Sequence, residues 1–178
     1  MRSSRLLVVF LLAALLMLSG CSKEPEPIEP DPTPTPVEPV LPEAAKENTE
    51  DGALAFLEHY LAVMDYASST GDITQLTELS HPECTGCKTY VDLFTERRRN
   101  GGWVDGGGQS TSDVSVQTIN GEVLITANIH HAEGTYQESK SEEPGSFKPS
   151  TVQVTHGLFW TDDRWYLTQM FLGEVPAP

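Results

Sequence analysis

The pattern of apolar and polar positions divides the chain into four parts. An uncharged apolar run, Leu6–Leu18, follows two arginines, and a stretch rich in proline and acidic residues succeeds it. Apolar positions then recur at helical spacing, and beyond Gly108 they alternate with polar positions, as in strands. The four patterns predict a leader, a linker and one folded domain that begins with helices and ends with strands.

Residues 48–71 show the strongest helical pattern. Asn48–Asp51 supplies capping and acidic residues that suit the start of a helix, and Gly71 suits its end. The apolar face between them is formed by Leu54, Leu57, Leu61 and Met64, and is widened by Phe56, Tyr60, Val63 and Ala67. This spacing of three and four residues predicts a long amphipathic helix.

Two shorter helices are predicted after the long one. Asp72 and Gln75 have the spacing of a capping box at the start of one helix, and Ser80 and Glu83 repeat that spacing at the start of the next. The last helix is expected to run to about Asn100. It would bury Tyr90, Val91 and Phe94.

Alternation of apolar and polar residues predicts four strands in the C-terminal part. They cover residues 114–118, 123–129, 152–160 and 165–171, the last with Trp165, Leu167, Gln169 and Phe171 on one face. Asn120-Gly121 predicts a type I′ turn between the first two strands, and residues 161–164 predict a turn between the last two. The polar stretch 133–149, which contains glycine and proline, is predicted to be a mobile loop.

Helices followed by a meandering antiparallel sheet predict an α+β fold, in which the N-terminal helices pack on one face of a curved, cone-like sheet. That order resembles the architecture shared by ketosteroid isomerase and nuclear transport factor two. The resemblance concerns architecture alone, and an architecture does not fix a function.

The end of the apolar leader carries the chemistry that sets the expected location. The run is shorter than the roughly 20 residues that span a bilayer, and it has the length of a signal-peptide core. Its end, Leu18-Ser19-Gly20-Cys21, resembles the bacterial lipobox. The resemblance implies cleavage after residue 20, lipidation of Cys21 and attachment to the extracytoplasmic face of the cell membrane. An ordinary secretory signal or a membrane anchor with a chance cysteine is the alternative.

A linker is expected to separate the lipid from the domain. Residues 22–42 hold eight of the 13 prolines, at Pro25, Pro27, Pro30, Pro32, Pro34, Pro36, Pro39 and Pro42. Proline fixes φ and removes a backbone donor, which disfavours helix and sheet, and such an extended chain reaches on the order of 60 Å. The predicted parts are therefore a signal peptide (1–20), a lipidated Pro/Glu-rich linker (21–47) and one α+β domain of unknown function (48–178).

The charge balance excludes some classes of partner. The chain carries 26 acidic and 11 basic side chains, and loss of Arg2 and Arg5 with the leader would make its net charge of −15 more negative still. Surfaces that bind nucleic acid are basic, and an acidic body is repelled by anionic lipid. The charge therefore predicts no nucleic-acid partner and indicates solubility outside the cytoplasm, with an acidic ligand-binding role as the alternative. No cofactor is predicted.

Residues 60–102 resemble an actinobacterial lipoprotein family whose domain has no assigned function. The residues that carry the resemblance are Tyr66-Ala67, Thr70-Gly71-Asp72, Leu76, Leu79-Ser80, Pro82, Cys84-Thr85-Gly86-Cys87 and Gly101-Gly102. The lipobox, the proline-rich tether and the C-terminal strands fit the same pattern. The resemblance supports the location and the architecture, and it implies no catalytic residue.

Cys84 and Cys87 form the sharpest local motif. Two sulfurs three residues apart at the start of a helix can bond, and an exported compartment permits a disulfide. A structural disulfide is the prediction, and thiol redox activity or a metal site is the alternative. His130 and His131 cannot easily share an ion, because neighbours on a strand point to opposite faces. No metal is predicted.

The candidate pocket residues are one acid and four aromatic side chains: Asp65, Trp103, Phe159, Trp160 and Trp165. The aromatic residues either fill the core or line an apolar cavity. Asp65 and Asp72 either form an acid–base pair at the mouth of a cone or act as a surface residue and a helix cap. The leading hypothesis is a non-catalytic domain that binds an envelope protein or a small ligand. The alternatives are a pocket enzyme of the ketosteroid-isomerase-like architecture, a thiol–disulfide redox protein and a wall spacer.

Overall fold

The computed structural model describes residues 35–173. The helices are α1 (Glu50–Thr70), α2 (Thr74–Leu79) and α3 (Thr85–Arg99). The strands are β1 (Gly101–Gly106), β2 (Gln109–Ile119), β3 (Glu122–His131), β4 (Gly134–Ser139), β5 (Gly145–Phe147), β6 (Ser150–Thr161) and β7 (Arg164–Leu172). The predicted signal peptide, Cys21 and the first part of the predicted linker, up to residue 34, lie outside the described residues.

Helix α1 is the long helix that the apolar spacing predicts. The Thr49 hydroxyl accepts a hydrogen bond from the Gly52 amide at 3.0 Å and caps its first turn. Gly71 ends it with a φ of 77°, a left-handed conformation that glycine adopts without strain. The predicted face is buried, with Phe56 and Tyr60 among its largest side chains. The helix and both its ends are confirmed.

Helices α2 and α3 begin later than the capping boxes predict. The Asp72 carboxylate accepts from the Thr74 amide, and α2 starts only at Thr74. Helix α3 starts at Thr85 rather than near Ser80, because the Ser80 hydroxyl bonds the Leu76 carbonyl and the Tyr60 hydroxyl instead of a helix amide. The predicted capping boxes are therefore wrong.

Packing begins before residue 48, where the domain was predicted to start. Residues Glu43–Lys46 form a turn of 3-10 helix, and Ala45 is only 2% exposed. The Trp165 indole donates to the Glu47 carbonyl at 2.9 Å, and Leu41 packs against the core. The last part of the predicted linker is thus held to the domain by side chains from the far end of the chain.

All strands pair antiparallel in two sheets, with the orders β2-β3-β6-β7 and β1-β4-β5. The predicted alternation on β3 is confirmed, because Val123, Ile125, Ala127 and Ile129 are all buried in the core that α1 covers. Asn120 and Gly121 both have positive φ, as the predicted type I′ turn requires. The predicted class, N-terminal helices on a curved antiparallel sheet, is confirmed.

The smaller sheet corrects the prediction of a mobile loop over residues 133–149. That stretch contains β4 and β5, and β4 pairs with β1, which was not predicted either. The three strands are short and rich in glycine and polar residues, so they lack a clear alternation. Glycine is required at position 134, where β4 pairs closely with β1, because a Cβ there would lie 2.7 Å from the Asp105 carbonyl oxygen.

Strand β7 contains a bulge that changes which side chains face the core. His156 pairs with Met170, whereas Leu158 pairs with Leu167, so β7 carries one extra residue between these pairs. Met170 consequently packs against the core in place of Gln169. The predicted strand is present, but its alternation holds only up to Leu167.

Candidate functional site

A cleft lies between helices α1 and α3 and the strands that face them. It consists of two adjoining cavities of about 440 Å³ and 290 Å³. We call the larger cavity the polar arm and the smaller one the apolar arm. The residues that line both arms, and so mark their junction, are Met64, Tyr90, Gln109 and His131.

Asp65 joins α1 to the start of β2 in the wall of the polar arm. One carboxylate oxygen accepts from the Gln109 amide and the other from the Gln109 side chain, both at 2.8 Å. Burial raises the pKa of Asp65, while the bonds from Gln109 and the nearby His131 act in the opposite direction. The polar arm therefore contains a half-buried carboxyl group whose two oxygens are held by a neighbouring strand.

An ion pair forms a second polar feature of this arm. Arg97 of α3 donates to both carboxylate oxygens of Glu138 on β4, at 2.8 and 3.0 Å. The Arg97 side chain is 11% exposed, so water screens the pair less than it would on an open surface. A fork of two parallel bonds fixes both side chains, and it connects α3 to the smaller sheet at the cleft.

Aromatic rings form much of the remaining wall of the polar arm. The Tyr136 and Phe147 ring centroids lie 6.3 Å apart, and those of Tyr90 and Phe94 lie 5.9 Å apart. Tyr90 was predicted to be buried but is 38% exposed, because it faces the cleft rather than the core. Lys148 adds a cationic group to the lining.

The apolar arm runs between α1, α3 and the strands β6 and β7. Its aliphatic lining comprises Leu61, Ile129, Val152, Val154, Met170 and Leu172. At its rim, Leu172 is 80% exposed and Val152 is 37% exposed. His156 also lines this arm, and it is only 3% exposed.

Burial lowers the pKa of His156 to about 4. The imidazole is therefore neutral at pH 7, with one nitrogen protonated and the other able to accept a hydrogen bond. No sequence motif drew attention to His156, since its position on an alternating strand predicts only that it faces the core.

Of the five predicted pocket residues, Asp65 lines the cleft and the four aromatic residues do not. Trp165 is 2% exposed in the core and makes an edge contact with Trp160 at 5.2 Å. The Trp103 indole donates to the Gln137 side chain, and Phe159 is 42% exposed. The strand register places these rings elsewhere. Trp165 and Trp160 lie at the end of the core near Glu47, Trp103 lies in the smaller sheet, and Phe159 lies on the outer surface.

The rings that do line the cleft were missed as pocket residues. Tyr90 and Phe94 were read as core residues of α3, and their spacing of four was the one signal that they share a face. Tyr136 and Phe147 lie in the stretch that was predicted to be a loop. Asp72, the predicted partner of Asp65, does not line the cleft, and hydrogen bonds to Thr74 lower the pKa of this exposed carboxyl.

Cys84 and Cys87 form a disulfide at the first turn of α3, as predicted, with Cα atoms 5.3 Å apart. The Cys84 sulfur also accepts from the Cys87 amide at 3.2 Å and so caps the helix. Both cysteines are 1% exposed. Thiol exchange needs a partner thiolate to reach a sulfur, so this burial favours the structural role.

Two features are absent from the described residues: a cluster of metal-ligating side chains and a membrane-spanning helix. Residues 35–173 contain no group of three or more His, Cys, Asp or Glu side chains that could hold a metal ion. His130 bonds Ser112 and Thr151, whereas the adjacent His131 lines the cleft, so the two point apart. Within the same residues, no helix is long and apolar enough to cross a membrane.

Comparison with known families gives one match that covers most of the chain. Residues 32–170 match the family of unknown function DUF6318. The predicted resemblance to a family without an assigned function is thereby confirmed, whereas its actinobacterial lipoprotein character stays a prediction. No curated protein matches the sequence.

Solved structures of similar fold are distant in sequence. The intermembrane-space region of the chloroplast protein ARC6 is 15% identical with a TM-score of 0.55, over 71% of this chain and 97% of that one. An NTF2-like protein from Cytophaga hutchinsonii is 15% identical with a TM-score of 0.49, over 72% of this chain and all of that one. The ARC6 likeness supports the fold alone.

Proposed function

Because the chain belongs to the family of unknown function DUF6318, we propose its function from the cleft itself: the domain binds a small ligand there without converting it. The cleft with its two arms is the observation that supports this proposal. Pockets of about 300–1,000 Å³ that combine apolar walls with a few polar groups are typical ligand sites. The polar arm alone, at about 440 Å³, falls within that range.

The polar groups of the cleft are arranged to orient a ligand. Asp65 and the Arg97–Glu138 pair are fixed by hydrogen bonds to β2 and β4. Fixed groups lose little side-chain entropy when a ligand arrives, and this favours binding. The aromatic rings supply apolar contact area between these groups.

Binding without chemistry is favoured by the state of Asp65. A general base needs a carboxylate that can reach a substrate proton. Both Asp65 oxygens already accept bonds from Gln109, and the expected second carboxyl, Asp72, lies outside the cleft. The carboxylate is therefore better suited to holding the cleft open than to moving protons.

The test uses the mature chain, residues 21–178, with Cys21→Ser so that it stays unlipidated. Small aromatic and aliphatic compounds are screened by their effect on amide signals of the cleft residues in NMR spectra. We expect hits whose binding disappears in Ser68→Trp, which fills the polar arm from α1. Ala62→Trp, on an exposed position of the same helix, is the matched control and should leave binding unchanged.

Two results would contradict a ligand-binding function of the cleft. One is a screen in which no compound perturbs the cleft signals. The other is a set of hits that bind Ser68→Trp as tightly as the unsubstituted chain.

A pocket enzyme is the second candidate, supported by one observation. Asp65, whose pKa burial raises, lines the same cavity as His131, so two titratable groups adjoin one ligand. If the protein is an enzyme, a bound compound is converted, and Asp65→Asn lowers turnover by about 10²-fold or more at saturating concentrations of that compound. Recovery of every bound compound unchanged would eliminate this candidate.

We further propose that lipid on Cys21 holds the domain at the extracytoplasmic face of the cell membrane. The lipobox-like end of the leader supports this location, and two acyl chains hold a protein stably at a bilayer, whereas one chain alone is marginal. Mass spectrometry of the native N-terminus should find Cys21 as the first residue with its acyl chains. Cys21→Ala should remove these acyl chains, whereas Ser22→Ala should not. An unlipidated native terminus would overturn the proposed location.

A further inference from the structure

The cleft is apolar at one end and polar at the other. Among the described residues that line the apolar arm, none is Asp, Glu, Lys or Arg. The polar arm adds four such side chains, two acidic and two basic, together with aromatic rings. The two arms adjoin at one place, because they share Met64, Tyr90, Gln109 and His131 in their linings. A molecule that occupies both arms should therefore have an apolar body and a polar end.

The apolar arm suits a linear hydrocarbon chain. An apolar cavity of about 150 Å³ can hold benzene, and this arm has a volume of about 290 Å³. Its walls include the aliphatic side chains of Leu61, Ile129 and Val154. Met170 adds a flexible thioether that adapts to the shape of a ligand. Leu172 at the rim is 80% exposed, and a chain in the arm would remove part of this apolar surface from water.

Lys148 is the charged group of the polar arm that is left to pair with a ligand. Arg97 and Glu138 already bind each other through two hydrogen bonds. Both oxygens of Asp65 accept bonds from Gln109. Lys148 is exposed and forms no salt bridge with another described residue.

An unpaired cation in the lining favours a carboxylate at the polar end of the ligand. The net negative charge of the chain does not exclude this. Exposed charges farther away than about 10 Å are largely screened at physiological ionic strength, so the groups that line the arm dominate the interaction with a ligand.

We propose that the cleft binds a medium-chain fatty acid, with its hydrocarbon chain in the apolar arm and its carboxylate beside Lys148 in the polar arm. The proposal rests on the proposed ligand-binding function and names the class of ligand. Between its two ends, the ligand passes Met64 and Tyr90 at the junction of the arms. The chain supplies affinity by leaving water, and the carboxylate sets the orientation.

A series of linear fatty acids tests the apolar arm. The mature chain with Cys21→Ser is titrated with butanoate, hexanoate, octanoate, decanoate and dodecanoate, and binding is followed by the amide signals of Ile129 and Val154. Each added CH₂ should tighten binding up to about fourfold, the equivalent of about 0.8 kcal/mol. The gain should stop once the arm is full, because further carbons remain in water. An affinity that does not depend on chain length would contradict a site for a hydrocarbon chain.

Lys148→Met tests the polar end, with decanoate and decanol as the probes. We expect this variant to bind decanoate about twofold to fivefold more weakly, the effect of one exposed ion pair, and to bind decanol unchanged. Lys140→Met is the matched control, since Lys140 is also exposed but does not line the cleft. Equal effects of both variants on decanoate would contradict the orientation.

Two tryptophan variants test whether the hydrocarbon chain lies in the apolar arm. Val152→Trp narrows the rim of this arm at a partly exposed position. It should weaken decanoate binding by about tenfold or more, the loss of about two buried CH₂ groups. Ile119→Trp is the matched control and should bind decanoate unchanged, since Ile119 is similarly exposed on a strand and does not line the cleft.

The outcomes distinguish this proposal from the function on which it rests. If other compounds bind the cleft but no fatty acid does, or if decanoate binds Val152→Trp as it binds the unsubstituted chain, the fatty-acid site is wrong and the ligand-binding function stands. If no compound of either test perturbs the cleft signals, both proposals fall. Binding that tightens with chain length, weakens in Val152→Trp and responds to Lys148→Met supports both.

Discussion

At the scale of single residues, burial acts on two titratable groups of the cleft in opposite directions. It raises the pKa of Asp65 and lowers that of His156, because a low-polarity environment disfavours the charged form of each. Their hydrogen bonding differs. Asp65 is held by Gln109, whereas Nδ1 of His156 has no partner in residues 35–173. Asp65 thus contributes to the architecture of the cleft, and His156 is a buried, neutral side chain of its wall.

The buried His156 should make stability depend on pH. Its folded pKa of about 4 lies below the ordinary value of 6.5, so the folded chain binds fewer protons than the unfolded chain between these values. The stability due to His156 is fully present above about pH 6.5 and is lost as the pH falls through about 4. The loss amounts to about 3 kcal/mol in the free energy of unfolding.

Urea unfolding of the unsubstituted chain and of His156→Phe at pH 7.5, 6, 5 and 4 checks this prediction. Carboxylates titrate in both proteins, so the difference between the two curves isolates the histidine. We expect the phenylalanine variant to gain relative stability as the pH falls. Parallel curves would mean that His156 is protonated equally easily in the folded and unfolded states.

At the scale of elements, the chain uses local devices to end and begin its helices and hairpins. The disulfide between Cys84 and Cys87 closes the first turn of α3, where the Cys84 sulfur also serves as the cap. Two hairpin turns place successive residues at positive φ, Asn120 with Gly121 and Asp162 with Asp163. The disulfide and the turn at Asn120 and Gly121 depend on neighbours in sequence, and for that reason the sequence predicts them, whereas it misplaces the cap of α3.

Removal of the disulfide should weaken the fold without changing its helices. The double variant Cys84→Ala/Cys87→Ala loses a short covalent loop, for which chain-entropy arguments give about 2 kcal/mol. Chemical unfolding should show a loss of this size, with an unchanged far-ultraviolet circular dichroism spectrum. An unaltered free energy of unfolding would show that the bond has no structural role.

Removal of glycine from one hairpin turn and introduction of glycine into the other should change the free energy of unfolding in opposite directions. Gly121→Ala places a side chain at a φ of 85° and should lower the free energy of unfolding by about 1 kcal/mol. Asp163→Gly relieves a side chain held at a φ of 57° and should raise it by about 0.5 kcal/mol. Thermal unfolding of both variants measures the effects. Changes in stability of the same sign would contradict the positive φ assigned to both positions.

At the scale of the whole described domain, residues before α1 belong to the fold. Ala45 is buried, Leu41 packs on the core, and the Gln75 side chain donates to both Glu38 and the Pro39 carbonyl. The same Gln75 was predicted to cap α2. Residues 38 and 39, which are distant in sequence, therefore accept the hydrogen bonds of the Gln75 side-chain amide, which the predicted capping box of α2 was expected to use.

Truncation tests where the domain begins. A chain that starts at Asn48 loses the packing of Leu41 and Ala45 and should be less stable by about 3 kcal/mol. A chain that starts at Thr35 keeps every described residue and should match the mature chain. Thermal unfolding of the three chains gives the comparison, and equal stability of all three would place the boundary at Asn48 after all.

The candidate site shows how far sequence reasoning reaches. Asp65 was predicted as a candidate because it lies on a well-predicted helix and, with Asp72, could form an acid–base pair at the mouth of a cone; the structure keeps Asp65 in the cleft without Asp72. The rings that actually line the cleft were not, since Tyr136 and Phe147 enter it only through the pairing of β1, β4 and β5. His156 lies in the predicted strand 152–160, and no motif marks it. The residues next to it in the sequence give no sign that its Nδ1 atom lacks a hydrogen-bond partner among the described residues.

The sequence by itself determined helix α1, the type I′ turn, the buried face of β3, the disulfide and the order of helices before sheet. Each of these follows from side chains a few residues apart, whose periodicity or turn preference acts before the chain folds. Only the tertiary structure decided the starts of α2 and α3, the smaller sheet, the bulge in β7 and the make-up of the cleft. These depend on hydrogen bonds and packing between residues 20 to more than 100 positions apart, and such partners leave no local pattern.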